Sequence, residues 1–200
     1  MLGSHNSLTY LPCRKWWMYL INWMAKCQSK TLSEQFHDGV RYFDIRLKWD
    51  SKKETWVIAH GLIEYKGNIR RVLESLNSLA DFYNEKLYVR FLLEYNKRPD
   101  DEATKIIKLR NFVRYARGEY SNIMYHLVET KWDEKVIEGY SNNIVLIHSY
   151  SSVLRWGVFR WKRFFLIPYW YSKFHNKENR KTFKNSLEDK ANRVLMLDFV

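Results

Sequence analysis

The sequence predicts an α/β fold, a single distorted and compact TIM-type (β/α) barrel with some helices reduced, because strand and helix patterns alternate along it. Residues 87–94 are almost continuously apolar, as in a strand buried on both faces, whereas residues 68–84 repeat apolar side chains with helical spacing. An ordinary barrel takes about 250 residues. The chain has 200, so we expect one domain over residues 1–200 in which some helices are missing or replaced by loops.

The predicted elements follow one another without internal repeats. Residues 1–5 form a short strand that ends at His5, and Thr31-Leu32-Ser33-Glu34 is a capping box that opens a helix ending near Asp38-Gly39. Later strands are predicted at residues 40–47, 56–59, 87–94, 123–128, 144–148 and 193–200, and later helices at residues 68–84, 100–115 and 185–192.

A helix is also predicted at residues 14–26, and it is apolar almost all round. One face carries Trp16, Leu20, Trp23, Met24 and Cys27, and the other carries Trp17, Met18 and Ile21. One apolar stripe would serve a core, but two leave apolar surface on a segment too short to span a bilayer. We therefore interpret Trp16, Trp17 and Trp23 as anchors in a membrane interface; the alternatives are burial in a core corner or a protein contact.

The composition favours a folded domain with anionic partners. With 46% hydrophobic residues and only 7 Gly and 3 Pro, we expect a hydrophobic core and no extensive disorder. The formal net charge of +12 attracts nucleic acid, acidic lipid or a phosphorylated substrate, and charge alone does not choose among them. The 9 Trp and 14 Tyr residues suit membrane boundaries and sugar-binding clefts.

Neither the cysteines nor the first residues fix a compartment. Cys13 and Cys27 allow a disulfide but do not require one. No signal peptide is visible, since Met1 stands just before the first motif, and this leaves the first strand nearly absent. We expect that the numbered chain begins after a removed leader, and that the protein is secreted or bound peripherally to a membrane.

Basic and aromatic residues interleave at residues 155–175. Three interpretations compete: a nucleic-acid surface where bases stack on rings, an interfacial membrane loop, or a barrel helix with a cationic face. The tryptophans of residues 14–26 favour the membrane interpretation, since two tryptophan-rich segments would then flank one cleft.

Two histidines and one arginine carry the predicted chemistry. They occur in Gly3-Ser4-His5-Asn6-Ser7, Tyr42-Phe43-Asp44-Ile45-Arg46-Leu47 and Val57-Ile58-Ala59-His60-Gly61, each where a predicted strand runs into a loop. Such a set can split a phosphodiester. One imidazole takes a proton from the attacking oxygen, the other protonates the leaving oxygen, and the guanidinium stabilises charge on phosphate. Structural or surface roles are assigned to the other histidines, His37, His126, His148 and His175.

These segments, together with Gln28 and Gly39-Val40-Arg41-Tyr42-Phe43-Asp44-Ile45-Arg46, resemble the catalytic X-type barrel of the phosphatidylinositol-specific phospholipases C, particularly the bacterial form. The order and spacing of the motifs are kept from residue 3 to about residue 95, whereas the later half matches only through residues 144–148 and 196–200. Each motif alone is weak, but the ordered set with that strand between two histidines is specific.

The resemblance implies an intramolecular phosphoryl transfer in which the inositol 2-hydroxyl attacks its own phosphodiester, diacylglycerol leaves and a cyclic inositol phosphate forms. By position, His5 would be the general base, His60 the general acid and Arg46 the phosphate ligand. Asp44, on the same strand face as Arg46, can orient the guanidinium or an imidazole. Asp198 is a candidate carboxylate behind His5, because a closing barrel brings the last strand beside the first.

The chain departs from the bacterial pattern at Asn6, where those enzymes carry Asp, and the lost carboxylate predicts slower protonation of the leaving group. With Asn at this position the chain resembles the calcium-dependent eukaryotic enzymes. In those enzymes a carboxylate stands at the position of Arg46, and further carboxylates align with Asp44 and Glu94. Because an arginine supplies the charge that calcium would supply, we expect no metal and no other cofactor, with at most a vestigial calcium site at Asn6, Asp44 and Glu94.

Substrate contacts are expected from Asn6, Arg90, Glu94 and Tyr169. Arg90 and Glu94 share one strand face and can bind inositol hydroxyls or form an internal ion pair, and Tyr169 or Tyr171 can stack on the ring. We expect a monomer that meets its phospholipid substrate at an anionic membrane surface and binds no nucleic acid. The headgroup stays open: plain phosphatidylinositol, a glycan-linked anchor, a phosphorylated inositide or another phosphodiester.

Three other functions compete with this one. A metal-dependent enzyme of the glycerophosphodiester phosphodiesterase or sphingomyelinase D type holds its metal with a Glu-x-Asp strand, and Asp44-x-Arg46 argues against it. A catalytically weak membrane-binding barrel is favoured by Asn6 alone and opposed by the presence of His5, His60 and Arg46. A nucleic-acid binder fits the net charge but leaves the histidine–arginine set unexplained.

Overall fold

The computed structural model describes residues 1–94, 102–128, 145–147, 168–185 and 193–200. The predicted helix at residues 185–192 lies outside the described residues apart from Asn185, and His148 lies outside them as well. Of the basic and aromatic segment at residues 155–175, the structure describes only the part from Pro168 onward, which is helical.

The described chain contains eight strands and four α-helices, in an order close to the predicted one. The strands are β1 (Leu2–Ser4), β2 (Val40–Asp50), β3 (Thr55–His60), β4 (Ile63–Glu64), β5 (Leu87–Leu93), β6 (Ile123–Val128), β7 (Val145–Ile147) and β8 (Arg193–Leu197). The α-helices are α1 (Leu32–His37), α2 (Ile69–Phe82), α3 (Glu102–Glu119) and α4 (Pro168–Asn185). Two short 3-10 helices, Trp16–Leu20 and Asn22–Met24, lie between β1 and α1.

Six of the strands run parallel in the order β7-β8-β1-β2-β5-β6. The hairpin β3-β4 is antiparallel, and β3 pairs with the last residues of β2, from Leu47 to Asp50. Parallel strands that alternate with helices confirm the predicted α/β class. Within the described residues no pairing joins β6 to β7, so the sheet is not closed there and the closed barrel remains a prediction.

The two faces of the central sheet differ in chemistry. On β2, Phe43, Ile45 and Leu47 belong to the main hydrophobic core, which also contains apolar residues of α2, α3, β5 and β6. The alternate residues Asp44 and Arg46 are also buried, but they point to the opposite face. One face of β2 therefore carries buried charged residues, and the other face packs into the hydrophobic core.

Strand β1 is only three residues long and lies between β2 and β8. Gly3 permits this close approach, because a Cβ at this position would lie 2.5 Å from the sulfur of Met196. The parallel pairing of β1 with β8 places the residues that follow them, His5 and Asp198, side by side. The short first strand thus sets the position of the first predicted catalytic residue.

The helix predicted at residues 14–26 is wrong in type, since the structure has two 3-10 helices that meet at Ile21. Neither 3-10 helix has a side-chain N-cap, and a 3-10 helix rarely extends beyond a few residues. Cys27 is buried rather than part of an apolar outer face. Burial in a core corner is also wrong as a description of the whole segment, because Trp16 is 78% and Leu20 is 68% exposed.

Helix α1 begins as predicted. The side-chain oxygen of Thr31 accepts from the Glu34 N–H at 3.3 Å, and the Glu34 carboxylate accepts from the Thr31 N–H at 2.7 Å, which completes the capping box. Cys13 and Cys27 are both buried and free, so no disulfide joins them. Among the described helices, none has the length and hydropathy that crossing a bilayer requires.

Candidate active site

His5 and Asp198 form a buried pair at the carboxyl ends of β1 and β8. His5 Nδ1 lies 2.7 Å from Asp198 Oδ1, and neither residue is more than 2% exposed. A carboxylate oxygen can only accept, so Nδ1 carries the proton and donates it. Nε2 of His5 is thereby the acceptor nitrogen of a neutral imidazole, which is the form that a general base needs.

Arg46 spreads its guanidinium over three acceptors. Nη2 lies 2.7 Å from His5 Nε2, Nη1 donates to Glu94 at 3.3 Å, and Nε donates to Asp44 at 3.4 Å. Arg46 is only 8% exposed, so little water screens its charge. Two carboxylates therefore hold a permanent cation beside the acceptor nitrogen of His5. These carboxylates are two of the three residues considered for a vestigial calcium site.

Asp44 is fully buried and accepts the backbone N–H of Asn6 at 3.2 Å. The guanidinium groups of Arg46 and Arg90 flank it, the latter with Nη1 at 3.7 Å from Oδ1. Burial alone would raise the pKa of Asp44, but the charges of Arg90 and Arg46 outweigh burial and hold this pKa well below its ordinary value. Asp44 is therefore ionised at neutral pH and fixes the position of Arg46.

Three buried polar atoms at this site have no hydrogen-bond partner among the described residues. They are Asn6 Oδ1, Asp44 Oδ1 and Arg90 Nε. Leaving such a group unpaired costs about 1–3 kcal/mol. Arg90 lies directly opposite Asp44 in the β2–β5 register. A hydrogen-bond donor, Arg90 Nε, and an acceptor, Asp44 Oδ1, are thus both unpaired at neighbouring positions. A ligand that carries several hydroxyl groups can satisfy both kinds of atom.

His60 ends β3 and faces His5 across a short gap. Gly61 follows it with a φ of 60°, a left-handed conformation that turns the chain into β4. His60 Nδ1 lies 2.7 Å from the carbonyl oxygen of Ala25, so Nδ1 donates and Nε2 is the nitrogen that remains for chemistry. The ring centroids of His5 and His60 are 6.2 Å apart, and the ring planes meet at 78°.

Asn6 lies between the two imidazoles. Its φ of 48° is left-handed, a conformation that asparagine adopts more readily than most residues. Its side-chain Nδ2 lies 3.1 Å from Nε2 of His5 and 3.1 Å from Nε2 of His60. An amide nitrogen has two N–H bonds, so it can donate one to each ring. The structure thus brings together His5, Asn6, Arg46, Asp44, His60 and Asp198.

Solved structures of similar fold match the full length of the chain. A phosphatidylinositol-specific phospholipase C from Listeria monocytogenes has a TM-score of 0.63 at 17% identity, covering 100% of this chain and 87% of that chain. A phosphatidylinositol-specific phospholipase C of Staphylococcus aureus has a TM-score of 0.64 at 17% identity, covering 100% and 85%. The fold is that of the bacterial phosphatidylinositol-specific phospholipases C. No protein-family model matches the chain, and no curated protein matches it.

Within this phospholipase C fold, Gln28 ties the ends of two strands together. Its Nε2 donates to the carbonyl oxygens of His5 and Leu197, each at 3.0 Å, and its Oε1 accepts the Val200 N–H at 3.2 Å. The sequence carried a signal for this residue, because Gln28 is part of the resembling motif set, although no role was predicted for it. Gln28 fixes the backbone on which the His5–Asp198 pair depends.

Cys27 is a second residue at the site whose place was not predicted. Its sulfur lies 3.4 Å from Asn6 Nδ2 and 4.0 Å from His60 Nδ1. Burial raises the pKa of the Cys27 thiol well above its ordinary value, and the Asp198 charge adds to this effect. A single cysteine has no spacing that could mark it in a sequence, so the position of this thiol emerges only from the fold.

An apolar rim borders the site, and we define it by five side chains that are 50–78% exposed: Trp16, Leu20, Trp23, Met24 and Leu62. Two members of the rim stand close to site residues in the chain: Met24 precedes Ala25, which accepts the His60 hydrogen bond, and Leu62 follows His60 by two positions. Trp17, the third predicted anchor, is 39% exposed. Leu62 was missed, because one leucine in a turn gives no periodic signal.

The predicted substrate residues differ in what the structure shows of them. Arg90 and Glu94 are 6% and 4% exposed, and their nearest described charges are Asp44 and Arg46, respectively. The ion pair expected as an alternative, between Arg90 and Glu94 themselves, is absent from the described contacts. Tyr169 belongs to α4, but its side chain lies outside what the structure describes.

Proposed function

We propose that the chain is a metal-independent phosphodiesterase that cleaves a phosphatidylinositol-type lipid by intramolecular transphosphorylation, releasing diacylglycerol and a cyclic inositol phosphate. One observation carries the proposal: His5 Nε2 is an acceptor 2.7 Å from the Arg46 guanidinium, and a second imidazole lies 6.2 Å away, centroid to centroid. A base, a fixed cation and an acid at this spacing fit around one phosphate group. The fold shared with bacterial phospholipases C supports the same substrate class.

In the first step His5 acts as the base. The inositol 2-hydroxyl gives its proton to Nε2 while its oxygen forms a bond to phosphorus. The proton makes His5 an imidazolium, and the Asp198 carboxylate at 2.7 Å from Nδ1 stabilises that charge. Asp198 also keeps the proton of the resting imidazole on Nδ1, so that the basic lone pair faces the substrate.

Arg46 stabilises the charge on the phosphoryl oxygens. Its donors face His5 in the free protein, and the phosphate would take over part of these hydrogen bonds when it binds. Asp44 and Glu94 hold the guanidinium from its other side, so little reorganisation accompanies the reaction. This cation occupies the space between carboxylates that a calcium ion would otherwise need, which supports chemistry without a metal.

His60 protonates the oxygen of diacylglycerol as the phosphorus–oxygen bond breaks. Its Nδ1–H is engaged by the Ala25 carbonyl, so the transferred proton sits on Nε2. A protonated Nε2 needs an acceptor, and the unpaired Oδ1 of Asn6 becomes that acceptor if the amide turns over by half a rotation. Asn6 would then serve either protonation state of His60.

The inositol ring would be recognised beside the phosphate by Arg90 and Asp44. Each has a buried polar atom without a hydrogen-bond partner among the described residues, and ring hydroxyls can both donate and accept. Glu94 already binds Arg46, so we assign it mainly to holding the guanidinium and secondarily to the ring. Tyr169 is kept as a candidate for stacking on the ring.

The apolar rim and the net charge of +12 support an encounter with an anionic lipid surface. Tryptophan, leucine and methionine side chains gain free energy on leaving water, and the excess positive charge draws the protein to acidic lipid. We propose that Trp16, Trp17 and Trp23 insert into the interface, and that Leu62 inserts with them. The protein would act there as a peripheral monomer.

A catalytically weak membrane-binding protein is the second candidate, and Asn6 favours it. An amide at this position cannot supply the negative charge that would stabilise a protonated His60. In this case the rim would still bind vesicles, but turnover would be absent. A metal-dependent diesterase is disfavoured, because Arg46 lies where the metal would be held.

Phosphorus NMR of phosphatidylinositol vesicles incubated with the protein in excess chelator tests the proposal. We expect a cyclic phosphate signal to appear, and the same incubation with His5→Ala should leave the lipid intact. A strict requirement for calcium would contradict the role given to Arg46. Vesicle binding without any turnover would favour the second candidate.

A further inference from the structure

Cys27 places a buried thiol inside the candidate active site. One ligand atom from each of His5, Cys27 and Asp198 lies within 4.8 Å of the other two, and all three residues are buried. The sulfur is also 4.0 Å from Nδ1 of His60. The proposed proton transfers use both histidines and Asp198 but give this thiol no task.

The three donors match the ligands that Zn²⁺ prefers. Thiolate sulfur, imidazole nitrogen and carboxylate oxygen bind this ion at about 2.0–2.3 Å in a tetrahedral arrangement, which places donor atoms roughly 3.5 Å apart. Small side-chain shifts would bring the observed atoms to that spacing. One thiolate and one carboxylate also balance the double charge of the ion, so a buried complex with neutral imidazole carries no net charge.

Hydrogen bonds to backbone carbonyl oxygens hold the ligand set together. The carbonyl oxygen of Cys27 accepts the N–H of Phe199, the residue after Asp198, at 2.7 Å. The side chain of Gln28, the residue after Cys27, donates to the carbonyl oxygen of His5 at 3.0 Å. Each ligand is thus tied to another through an adjacent residue, which is the preorganisation that a metal site requires.

The side chain of Asn6 lies next to these donors, and its unpaired amide oxygen is an independent sign of a missing ligand. Asn6 is 2% exposed, its Nδ2 lies 3.4 Å from the Cys27 sulfur, and its Oδ1 has no partner among the described residues. After half a rotation of the amide, this oxygen would lie where Nδ2 now is, beside the sulfur. It could then supply a fourth ligand or bind a water on the metal.

We propose that His5, Cys27 and Asp198 form a Zn²⁺ site, and that filling it blocks the proposed phosphodiesterase reaction. The inhibitory half of this proposal rests on the proposed function; the binding half does not. Coordination through Nδ1 of His5 would remove its hydrogen bond to Asp198 and move the ring proton to Nε2, whereas coordination through Nε2 would take the basic lone pair. Either way His5 cannot accept a proton, while the thiol proton is released to water.

Metal binding by the purified full chain tests the site without any assay of turnover. Co²⁺ in place of Zn²⁺ should give a near-ultraviolet thiolate-to-cobalt band, and a chromogenic chelator should report one tight Zn²⁺ equivalent per chain. Cys27→Ser and Cys27→Ala should remove the band and weaken binding by at least about a hundredfold. Cys13→Ser is the matched control, since Cys13 is the other buried free cysteine and should leave both signals unchanged.

Zn²⁺ titration of phosphatidylinositol turnover tests the consequence, with each variant measured against its own zinc-free rate. The original protein and Cys13→Ser should lose activity at stoichiometric Zn²⁺ and regain it on adding chelator. Cys27→Ser should need at least about a hundredfold more Zn²⁺. Equal zinc sensitivity of Cys27→Ser, or absence of the cobalt–thiolate band in the original protein, would overturn the site. A band without any turnover in zinc-free samples would keep the site and reject the proposed function.

Discussion

The candidate site has a floor of buried charged residues and a rim of exposed apolar residues, and both arrangements are unusual in a folded protein. The floor buries charge, and its residues are Asp44, Arg46, Arg90, Glu94 and Asp198, each no more than 8% exposed. The rim exposes hydrocarbon, and its residues are Trp16, Leu20, Trp23, Met24 and Leu62, each at least 50% exposed. Buried charges lose hydration and exposed apolar groups forgo burial, so neither arrangement is explained by folding stability.

The two regions differ in how these costs are offset. Every floor charge has an oppositely charged group or a histidine within 3.7 Å, as in the Asp44–Arg90 contact. The floor is therefore stabilised inside the protein, whereas the rim would gain free energy only from an apolar phase that covers it. From this difference we expect chemistry and membrane binding to be separable by mutation.

The largest expected effect is the loss of the base. His5→Ala should lower the turnover of phosphatidylinositol by about 10²- to 10⁴-fold, because no other group accepts the 2-hydroxyl proton. Vesicle co-sedimentation should be unchanged, since His5 is buried beside the floor residue Asp198 and is not part of the apolar rim. His37→Ala is the matched control, because His37 is an exposed histidine on α1. Equal losses of turnover in both variants would show that a histidine at the site matters no more than one on the surface.

The rim should respond in the reverse way. Replacing Trp16, Trp17 and Trp23 together by Ala should weaken binding to anionic vesicles by about a thousandfold or more, since each buried aromatic contributes roughly 1.5–3 kcal/mol. Turnover of a soluble inositol phosphodiester should not change. Phe82→Ala is the control, because Phe82 is 81% exposed but precedes the amino end of β5, away from the carboxyl ends that carry the site. Intact vesicle binding by the triple variant would exclude the rim as the membrane contact.

His126, a buried histidine near the floor residue Arg90, predicts a loss of stability in mild acid. Burial, aided by the charge of Arg90, lowers the pKa of His126 to about 4. An unfolded histidine has a pKa near 6.5, so the unfolded state binds the proton first as the pH falls. The free energy of unfolding should decrease between pH 6.5 and about 4, by about 3 kcal/mol in total from this residue.

Denaturant unfolding of the original protein and of His126→Gln at several pH values measures this contribution. The variant should show a decrease that is smaller by the His126 share over the same pH range. Asp44 acts in a lower pH range. Because its pKa is lowered in the folded state, the ionised carboxylate stabilises the fold above about pH 4, and this stabilisation is lost only as the pH falls below about 4. Parallel curves for the two proteins would show that burial and the charge of Arg90 do not hold His126 neutral.

The smallest expected effect is a gain at Asn6. Asn6→Asp would place a carboxylate beside Nε2 of His60, 3.1 Å from the present amide nitrogen, and so stabilise the protonated acid. We expect turnover to rise by roughly tenfold, and the alkaline limb of the pH–rate profile to move to higher pH. A lower rate with an unmoved profile would mean that His60 does not donate the proton.

The sequence predicted the site best where spacing carries information. Strand alternation put Asp44 and Arg46 on one face, and the expectation that the last strand lies beside the first put Asp198 beside His5, as the structure shows. Cys27 escaped prediction because its contact with Asn6 depends on how an irregular loop folds back. The segment at residues 14–26 was assigned the wrong helix type, since apolar periodicity does not distinguish two short 3-10 helices from one α-helix.

A crystal structure with myo-inositol bound would test most directly whether His5 and Arg46 form the reactive end of the site. We predict that the ring lies over Asp44 and Arg90, with its 2-hydroxyl oxygen about 3 Å from His5 Nε2. A second cleft, lined by Trp49, Trp56 and Lys108, contains none of the site residues. Inositol bound there, with His5 left untouched, would contradict the proposed reaction.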